Sequence, residues 1–317
     1  MGVLRRITAF FGGRPSDEVL YIILPYFNYC KFLRRKQLFV EFVERVGKIK
    51  NIRIVVVEAT EKGSEYDLPL MNVFQHFRYE VNHRLWIKEN LINLGFEQLP
   101  NDWKYAAWVD ADITFLNETW VTDTIRTLQK YDVAQMFQSC INLGPEGESI
   151  KIDQSFAYQN LRSGHPYHRA YKYGFWHPGY AWAVSRKAYA AMDGLVDWAI
   201  LGSGDRHMAL ALIGKVECSH PGNIHPEYGR MLKQYQEKCK GLKLGYTPGT
   251  ILHHWHGRLE DRKYRERWDI LTKGQYDPSL DIHKDGIGLL QLSKSGMRLK
   301  EEISEYFVGR NEDSIRK

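Results

Sequence analysis

Asp110 and Asp112 stand two residues apart where an apolar run ends, in Trp108-Val109-Asp110-Ala111-Asp112-Ile113-Thr114-Phe115. On extended backbone alternate side chains share a side, so both carboxylates are expected to point the same way. Two carboxylates so placed repel each other unless a cation lies between them. An oxygen-seeking divalent ion, Mg²⁺ or Mn²⁺, suits the pair. Taken alone, Asp-x-Asp also fits a strand that merely ends in a polar turn.

Three further groups could do chemistry. His253, His254 and His256 follow the strand-like run Thr250-Ile251-Leu252. If the backbone stays extended, His254 and His256 share a face and His253 points away. Gly257 would let backbone approach a phosphate closely, and Arg258 could then pair with a diphosphate. The plain alternative is a set of packing or surface histidines beside Trp255. A pure three-histidine zinc site fits less well, because the carboxylate pair favours a harder ion. Asp205 follows Gly202-Ser203-Gly204 at the start of a helix. It could take a proton from an acceptor hydroxyl, although an Asp there also stabilises free N–H groups and the helix dipole. Lys88-Glu89-Asn90 places polar side chains on a helix, where they could touch a nucleotide or simply be solvated.

The elements that must position these groups follow from the apolar pattern. Val19–Leu24 and Ile52–Val57 read as strands, with an amphipathic helix over Lys31–Val46 between them. This β-α-β opening is the unit of a parallel sheet. Tyr105–Val109 is the strand that delivers Asp110. Residues 60–85 read as irregular. Helices are expected over Leu85–Leu94, Trp120–Lys130, Arg186–Met192 (capped by Ser185), Asp205–Ile213 and Leu299–Phe307, with strands at Val133–Phe137 and Tyr180–Val184. Residues 144–149 read as a loop. Ligands bind off the carboxyl ends of strands in an open parallel sheet. Three polar strand ends, Pro25 to Asn28 (with Tyr26), Glu58 to Thr60, and Asp110 to Asp112, would therefore line one edge. The His-, Tyr- and Gly-rich segment 162–179 has the character of a loop that lines a site.

Composition sets the outer bounds. A chain of 317 residues, with 44% apolar and 26% charged residues, can bury one large α/β core. No apolar run approaches the roughly 18 residues of a membrane span, and Met1–Phe11 lacks the pattern of a signal peptide. The scattered Cys30, Cys140, Cys218 and Cys239 suggest reduced thiols in a cytosolic setting. A net charge of +6 favours anionic partners in general. Aromatic rings make up 13% of the chain and could stack on sugars or bases.

Taken together, the Val19–Leu24 strand, Trp108-Val109-Asp110-Ala111-Asp112, Gly204-Asp205 and His254-Trp255-His256-Gly257 resemble GT-A glycosyltransferases. The phrases 99–115 and 252–267 look most like phage and bacterial members related to enzymes that glucosylate hydroxymethylated DNA bases. The resemblance spans about residues 18–275. It leaves 1–17 as an N-terminal arm and 276–317 as a C-terminal helical extension.

It implies an α/β, Rossmann-like fold with a central mixed, mostly parallel sheet flanked by helices. It implies a nucleotide-sugar donor, UDP-sugar by default, with Mn²⁺ or Mg²⁺. Asp112 would hold the metal, and Asp110 the donor ribose or the metal through water. His256 would be the late metal ligand, with His254 in reserve, and Asp205 the base of an inverting reaction. Where the family usually carries Glu-Asp, this chain has Gly204-Asp205. The implied setting is a bacterial or phage-infected cytoplasm, and the acceptor is modified duplex DNA or a glycan.

Two rival readings belong to other classes. Asp110-Ala111-Asp112-Ile113-Thr114 also matches the Asp-x-Asp-x-Thr of haloacid dehalogenase phosphatases, with Asp110 as nucleophile. That motif normally follows a first strand, however, and here two strands precede it. A non-catalytic sugar- or DNA-binding protein would use the aromatic rings and basic charge, but leaves the Asp and His positions unexplained.

Overall fold

The computed structural model describes residues 18–164, 166–167 and 176–314. The expected arm 1–17 and part of the His- and Tyr-rich loop, 168–175, lie outside the described residues. The chain opens with β1 (Leu20–Phe27), α1 (Leu33–Val46) and β2 (Ile52–Glu61), then β3 (Gln75–Val81), α2 (Lys88–Glu97) and β4 (Tyr105–Val109). β1 runs on through Pro25, where its sequence pattern stops. Its ladder to β4 ends at Ile23 opposite Trp108, so the N–H that Pro25 lacks costs no bond on that side. β3 is a strand where the sequence reads as irregular. It pairs with β2 alone at the sheet edge, and its polar residues suit a half-exposed edge rather than a buried run.

The chain continues through β5 (Ile113–Phe115), α3 (Trp120–Leu128), β6 (Val133–Gln135), β7 (Ser139–Leu143), β8 (Ser149–Gln154), α4 (Phe156–Arg162), β9 (Ala181–Ser185) and α5 (Arg186–Met192). The Ser185 hydroxyl accepts from Ala188 N–H at 3.3 Å, the expected cap. Then come α6 (Gly204–Leu212), α7 (Pro226–Cys239), β10 (Leu244–Tyr246), β11 (Thr250–His253), α8 (Arg267–Lys273), β12 (Ile282–Lys284), β13 (Leu290–Leu292) and α9 (Lys300–Gly309).

Among the described residues the central sheet has seven strands in the order β10-β6-β9-β4-β1-β2-β3. All its pairings are parallel except those of β9 with β4 and β6. This is the mixed, mostly parallel, helix-flanked α/β sheet of a GT-A, Rossmann-like layout. A smaller sheet, β5-β11-β7-β8, stands beside it.

Strand alternation splits the core between the two faces of the central sheet. Ile23, Val55, Val57, Ala106 and Trp108 pack with residues of α2, α5, α6 and α7. Ile22, Leu24, Val56, Ala107 and Val109 pack with α1 and α3. Trp108 and Trp182 face each other across β4 and β9, and both are fully buried. Leu290, Leu292, Ile303 and Phe307 join the first of these clusters, so the β12-β13 hairpin and α9 are built onto the same core. Among the described residues no helix is long and apolar enough to cross a membrane.

Candidate active site

A cavity of about 340 Å³ opens at the carboxyl ends of β1 and β4. β4 stops at Val109, and the chain then turns through Asp110, Ala111 and Asp112. The Asp110 N–H donates to Tyr180 C=O at 2.7 Å. The two carboxylates are therefore not carried by one extended strand, yet both line the cavity. They have different partners.

Asp110 faces Lys88, the first residue of α2. Lys88 Nζ lies 2.6 Å from Asp110 Oδ1 and 3.0 Å from Asp205 Oδ2. Burial works against the Lys88 charge, but Asp110 and Asp205 hold its pKa well above the ordinary lysine value. Burial pushes Asp110 up to about 6 against the pull of Lys88, with Asp112 and Asp205 adding repulsion. Glu89, next on α2, is 3% exposed. Burial, and then the Asp205 charge, push it up to about 8. A Cβ on Gly204 would collide with the Glu89 carboxyl group. A glycine at 204 thus makes room for a carboxyl delivered from α2.

Asp112 faces two imidazoles. Its Oδ2 lies 2.8 Å from His256 Nε2 and 3.7 Å from His253 Nε2. Burial opposes its charge, but His256 and His253 hold its pKa well below the usual carboxylate range. Ligating atoms of Asp112, His253 and His256 all lie within 4.8 Å of one another. Asp112 Oδ1 and His253 Nε2 are buried without a hydrogen-bond partner. Asn142 Oδ1 accepts from Tyr180 OH at 2.8 Å and lies 3.0 Å from His253 Nδ1. An amide oxygen there needs the proton on Nδ1, which leaves the Nε2 lone pair facing Asp112. Orphaned lone pairs converging beside a carboxylate are what a divalent cation would satisfy.

The expected histidine alternation is corrected here. β11 ends at His253, and the strand alternation does not carry on through 254–256. His254 turns away: its N–H donates to Asp112 C=O at 2.8 Å, and its Nε2 lies 2.8 Å from Thr114 Oγ1. His253, not His254, joins His256.

Arginines stand beside the imidazoles. Arg262, Arg267 and Arg310 are buried and line the cavity with Arg35. Arg262 Nη2 lies 2.8 Å from His256 Nε2, and Arg262 Nε has no partner. Arg267 donates to Ser203 Oγ at 2.7 Å and Tyr306 OH at 3.4 Å. Arg310 and Arg35 both donate to Glu312, at 2.7 and 2.8 Å. Among the described residues, Glu312 is the one carboxylate hydrogen-bonded to these guanidinium groups. A buried excess of cations is costly unless an anion arrives to match it.

Of the residues singled out in the sequence, Pro25, Tyr26, Lys88, Asp110, Asp112, Asp205 and His256 line the cavity, and Asn28, Glu58, Asn90 and Arg258 do not. Asn28 sits just behind the wall, donating to Tyr26 OH at 3.1 Å and Asp67 at 2.8 Å. Glu58 is taken up by Arg78 and His76, each at 3.1 Å, and by the N–H groups of Asp67 and Leu68. Asn90 ties α2 to the hairpin through Gly288 C=O and Leu290 N–H. Sequence reasoning turned His253 away from the site and missed Asn142, Arg262, Arg267, Arg310 and Glu312. The charged stretch after Gly257 was visible, but nothing in its spacing says which of its arginines turn inward.

No family model matches the chain, and no curated protein matches it. Among solved structures it is similar to the catalytic domain of Drosophila β1,4-galactosyltransferase 7 in complex with xylobiose, at 13% identity, over 87% of this chain and 93% of that one, with a TM-score of 0.37. It is also similar to S. aureus TarS 1–349, at 11% identity over 61% and 55% of the two chains, with a TM-score of 0.38. A third is 4-diphosphocytidyl-2C-methyl-D-erythritol synthase from Anaerococcus prevotii, at 13% identity over 74% and 90%, with a TM-score of 0.31. Likenesses at this level assign no activity, and the chemistry has to be read from the side chains.

Proposed function

We propose that the chain is a metal-dependent glycosyltransferase that moves a sugar from a nucleotide-sugar donor, UDP-sugar by the sequence resemblance, to an acceptor hydroxyl. One observation carries this reading. Asp112, His253 and His256 converge, with Asp112 Oδ1 and His253 Nε2 left without partners, in a cavity that also holds the buried Arg262, Arg267 and Arg310. A cation site beside a cationic wall is a place for a diphosphate. One carboxylate with two imidazoles suits Mn²⁺ better than Mg²⁺, whose ligands are oxygens.

When bound, such an ion supplies Lewis-acid neutralisation of the leaving diphosphate. The chain's own residues do the rest. Arg262, Arg267 and Arg310 would hold the phosphoryl oxygens. Asp110, fixed by Lys88, would face the donor ribose. Asp205 would take the acceptor proton as the acceptor oxygen bonds to the anomeric carbon and the bond from that carbon to the diphosphate breaks. Lys88, bridging Asp110 and Asp205, would keep donor and acceptor sides in register. Attack on the face opposite the leaving group would invert the anomeric centre.

The acceptor is read as the hydroxymethyl group of a modified base in DNA, from the sequence resemblance and the net charge of +6, with a glycan as the alternative. The test is incubation with a panel of nucleotide sugars and Mn²⁺, followed by mass analysis of hydroxymethylated DNA and of oligosaccharides. A hexose or pentose mass shift on DNA, with turnover that falls steeply as salt rises, supports the DNA acceptor. Salt-insensitive transfer to a soluble oligosaccharide replaces it with the glycan. Release of phosphate from phosphomonoesters without any nucleotide sugar would overturn the proposal.

A further inference from the structure

The segment that follows α9 packs behind the site, and Glu312 on it reaches the back of a metal-ligand candidate. Glu312 is 1% exposed, and its Oε2 lies 3.7 Å from His256 Nδ1. Arg35 and Arg310 pin the carboxylate from two sides, at 2.8 and 2.7 Å. The neighbours of Glu312 fix the segment as well. The Asp313 carboxylate accepts the N–H groups of Leu33 and Arg34 at the start of α1, at 3.0 and 2.8 Å. Trp255 Nε1 donates to Ser314 C=O at 2.7 Å.

Gly257 records the same packing from the other side. Its φ is +85°, and a Cβ there would stand 2.7 Å from Asn311 C=O oxygen and 2.9 Å from Glu312 Cα. The sequence suggests a glycine that admits a phosphate. The structure shows a glycine that admits the chain's own backbone next to His256.

His256 Nε2 lies 2.8 Å from both Arg262 Nη2, which can only donate, and Asp112 Oδ2, which accepts. Its lone pair is open to an ion when the ring proton is on Nδ1, the side the buried Glu312 carboxylate faces at 3.7 Å. Asn142 stands in the same relation to His253, with Oδ1 at 3.0 Å from Nδ1. Each imidazole thus has an oxygen on its Nδ1 side and Asp112 on its Nε2 side.

We infer that Glu312 is a positioning residue of the metal centre, acting through His256: its buried carboxylate, 3.7 Å from Nδ1, favours the ring proton on that side electrostatically and so turns the Nε2 lone pair to the ion. This rests on the metal-site reading above. Outer partners of this kind typically set metal affinity by about 10- to 100-fold.

The experiment is a double-mutant cycle on Mn²⁺ affinity in the full chain, read by titration calorimetry and by the free-ion electron paramagnetic resonance signal. Glu312→Gln is expected to weaken Mn²⁺ binding by about 10- to 100-fold. In a His256→Ala background the same change should add less than about twofold, because coupled residues lose their effect together. Glu312→Asp keeps charge against Arg35 and Arg310 but shortens the reach. It is expected to weaken binding as well, and it serves if Glu312→Gln does not fold. Wild-type affinity in either variant overturns the inference and leaves the metal site standing. An equal loss with and without His256 also overturns it, since that marks a general structural role. No Mn²⁺ binding by the wild-type chain removes the metal reading and the inference together.

Discussion

Asp112 Oδ2 lies 2.8 Å from His256 Nε2, although one residue follows β4 and the other follows β11. Nothing local brings them together. β11 pairs antiparallel with β5, with His253 opposite Ile113, and this register sets the histidines against the turn that carries Asp112. Registers are fixed by which face must be buried, so the contact is a consequence of the core. Ile113 and Ile251 are both fully buried there.

Lys88 is the clearest electrostatic keystone of the cavity. Lys88→Met would leave Asp110, Asp205 and Glu89 without their shared cation. Breaking a buried ion pair by removing one partner costs about 3–5 kcal/mol. Urea unfolding at neutral pH is expected to show a loss of that order. A loss below about 1 kcal/mol would mean that the carboxylates relax into solvent.

Gly204→Ala tests the close approach of Glu89. The new methyl group meets the Glu89 carboxyl, and overpacking of this kind typically costs about 1–3 kcal/mol. Pairing it with Glu89→Ala, which clears the space, is expected to recover more stability than either change alone predicts by simple addition. Strict additivity in thermal melts would show that the two groups do not share that volume.

His207 makes stability fall with acid. It is fully buried, with Nδ1 2.7 Å from Ser219 Oγ and Nε2 2.9 Å from Tyr228 OH. Burial holds its pKa well below the ordinary histidine value, with His220 and Arg206 acting the same way. Above pH 6.5 the residue is neutral in folded and unfolded chains, and it adds no slope. Below that, the unfolded chain binds a proton that the folded chain refuses, so stability drops by about 1.4 kcal/mol per pH unit. The drop continues until the folded residue itself titrates. Urea unfolding between pH 7.5 and 5.5 should show this slope, and His207→Gln should remove about that much of it. An unchanged slope in the variant would assign the acid sensitivity elsewhere.

Arg267 gives a ligand-level prediction that needs no metal. Its two hydrogen-bond partners are hydroxyl groups, so an entering diphosphate meets a buried cation that no carboxylate has already neutralised. Arg267→Gln is expected to weaken binding of UDP in the presence of EDTA by roughly tenfold or more, the loss of a charge-assisted hydrogen bond. Calorimetry decides it. Equal affinity in both chains would move the diphosphate away from this wall.

Much of this architecture is visible in the sequence, and the reasons for the rest are physical. β2 and β4 are apolar runs with clean ends, and Ser185 opens α5 in a cap that depends on three neighbouring residues. Such signals are local. β3 escapes because an edge strand need not be apolar. α7 carries a helical stripe, with Tyr228, Leu232, Tyr235 and Cys239 buried, but its strongly polar outer face hides it. The partners of the histidines escape for a different reason. Asn142, Arg262, Arg310 and Glu312 come from different elements and share no spacing; only the folded core brings them to one cavity. His253 was misdirected by carrying the strand alternation past the end of β11.

The most direct measurement is nucleoside diphosphate release from a panel of nucleotide sugars as Mn²⁺ is titrated, comparing the wild-type chain with Asp112→Asn. The wild type is expected to cleave at least one donor in a Mn²⁺-dependent reaction that EDTA abolishes. Asp112→Asn, which weakens the carboxylate ligand while keeping its shape, is expected to be slower by about 100-fold or more. No cleavage of any donor at saturating Mn²⁺, or equal rates in the two chains, would contradict a metal-held diphosphate at Asp112.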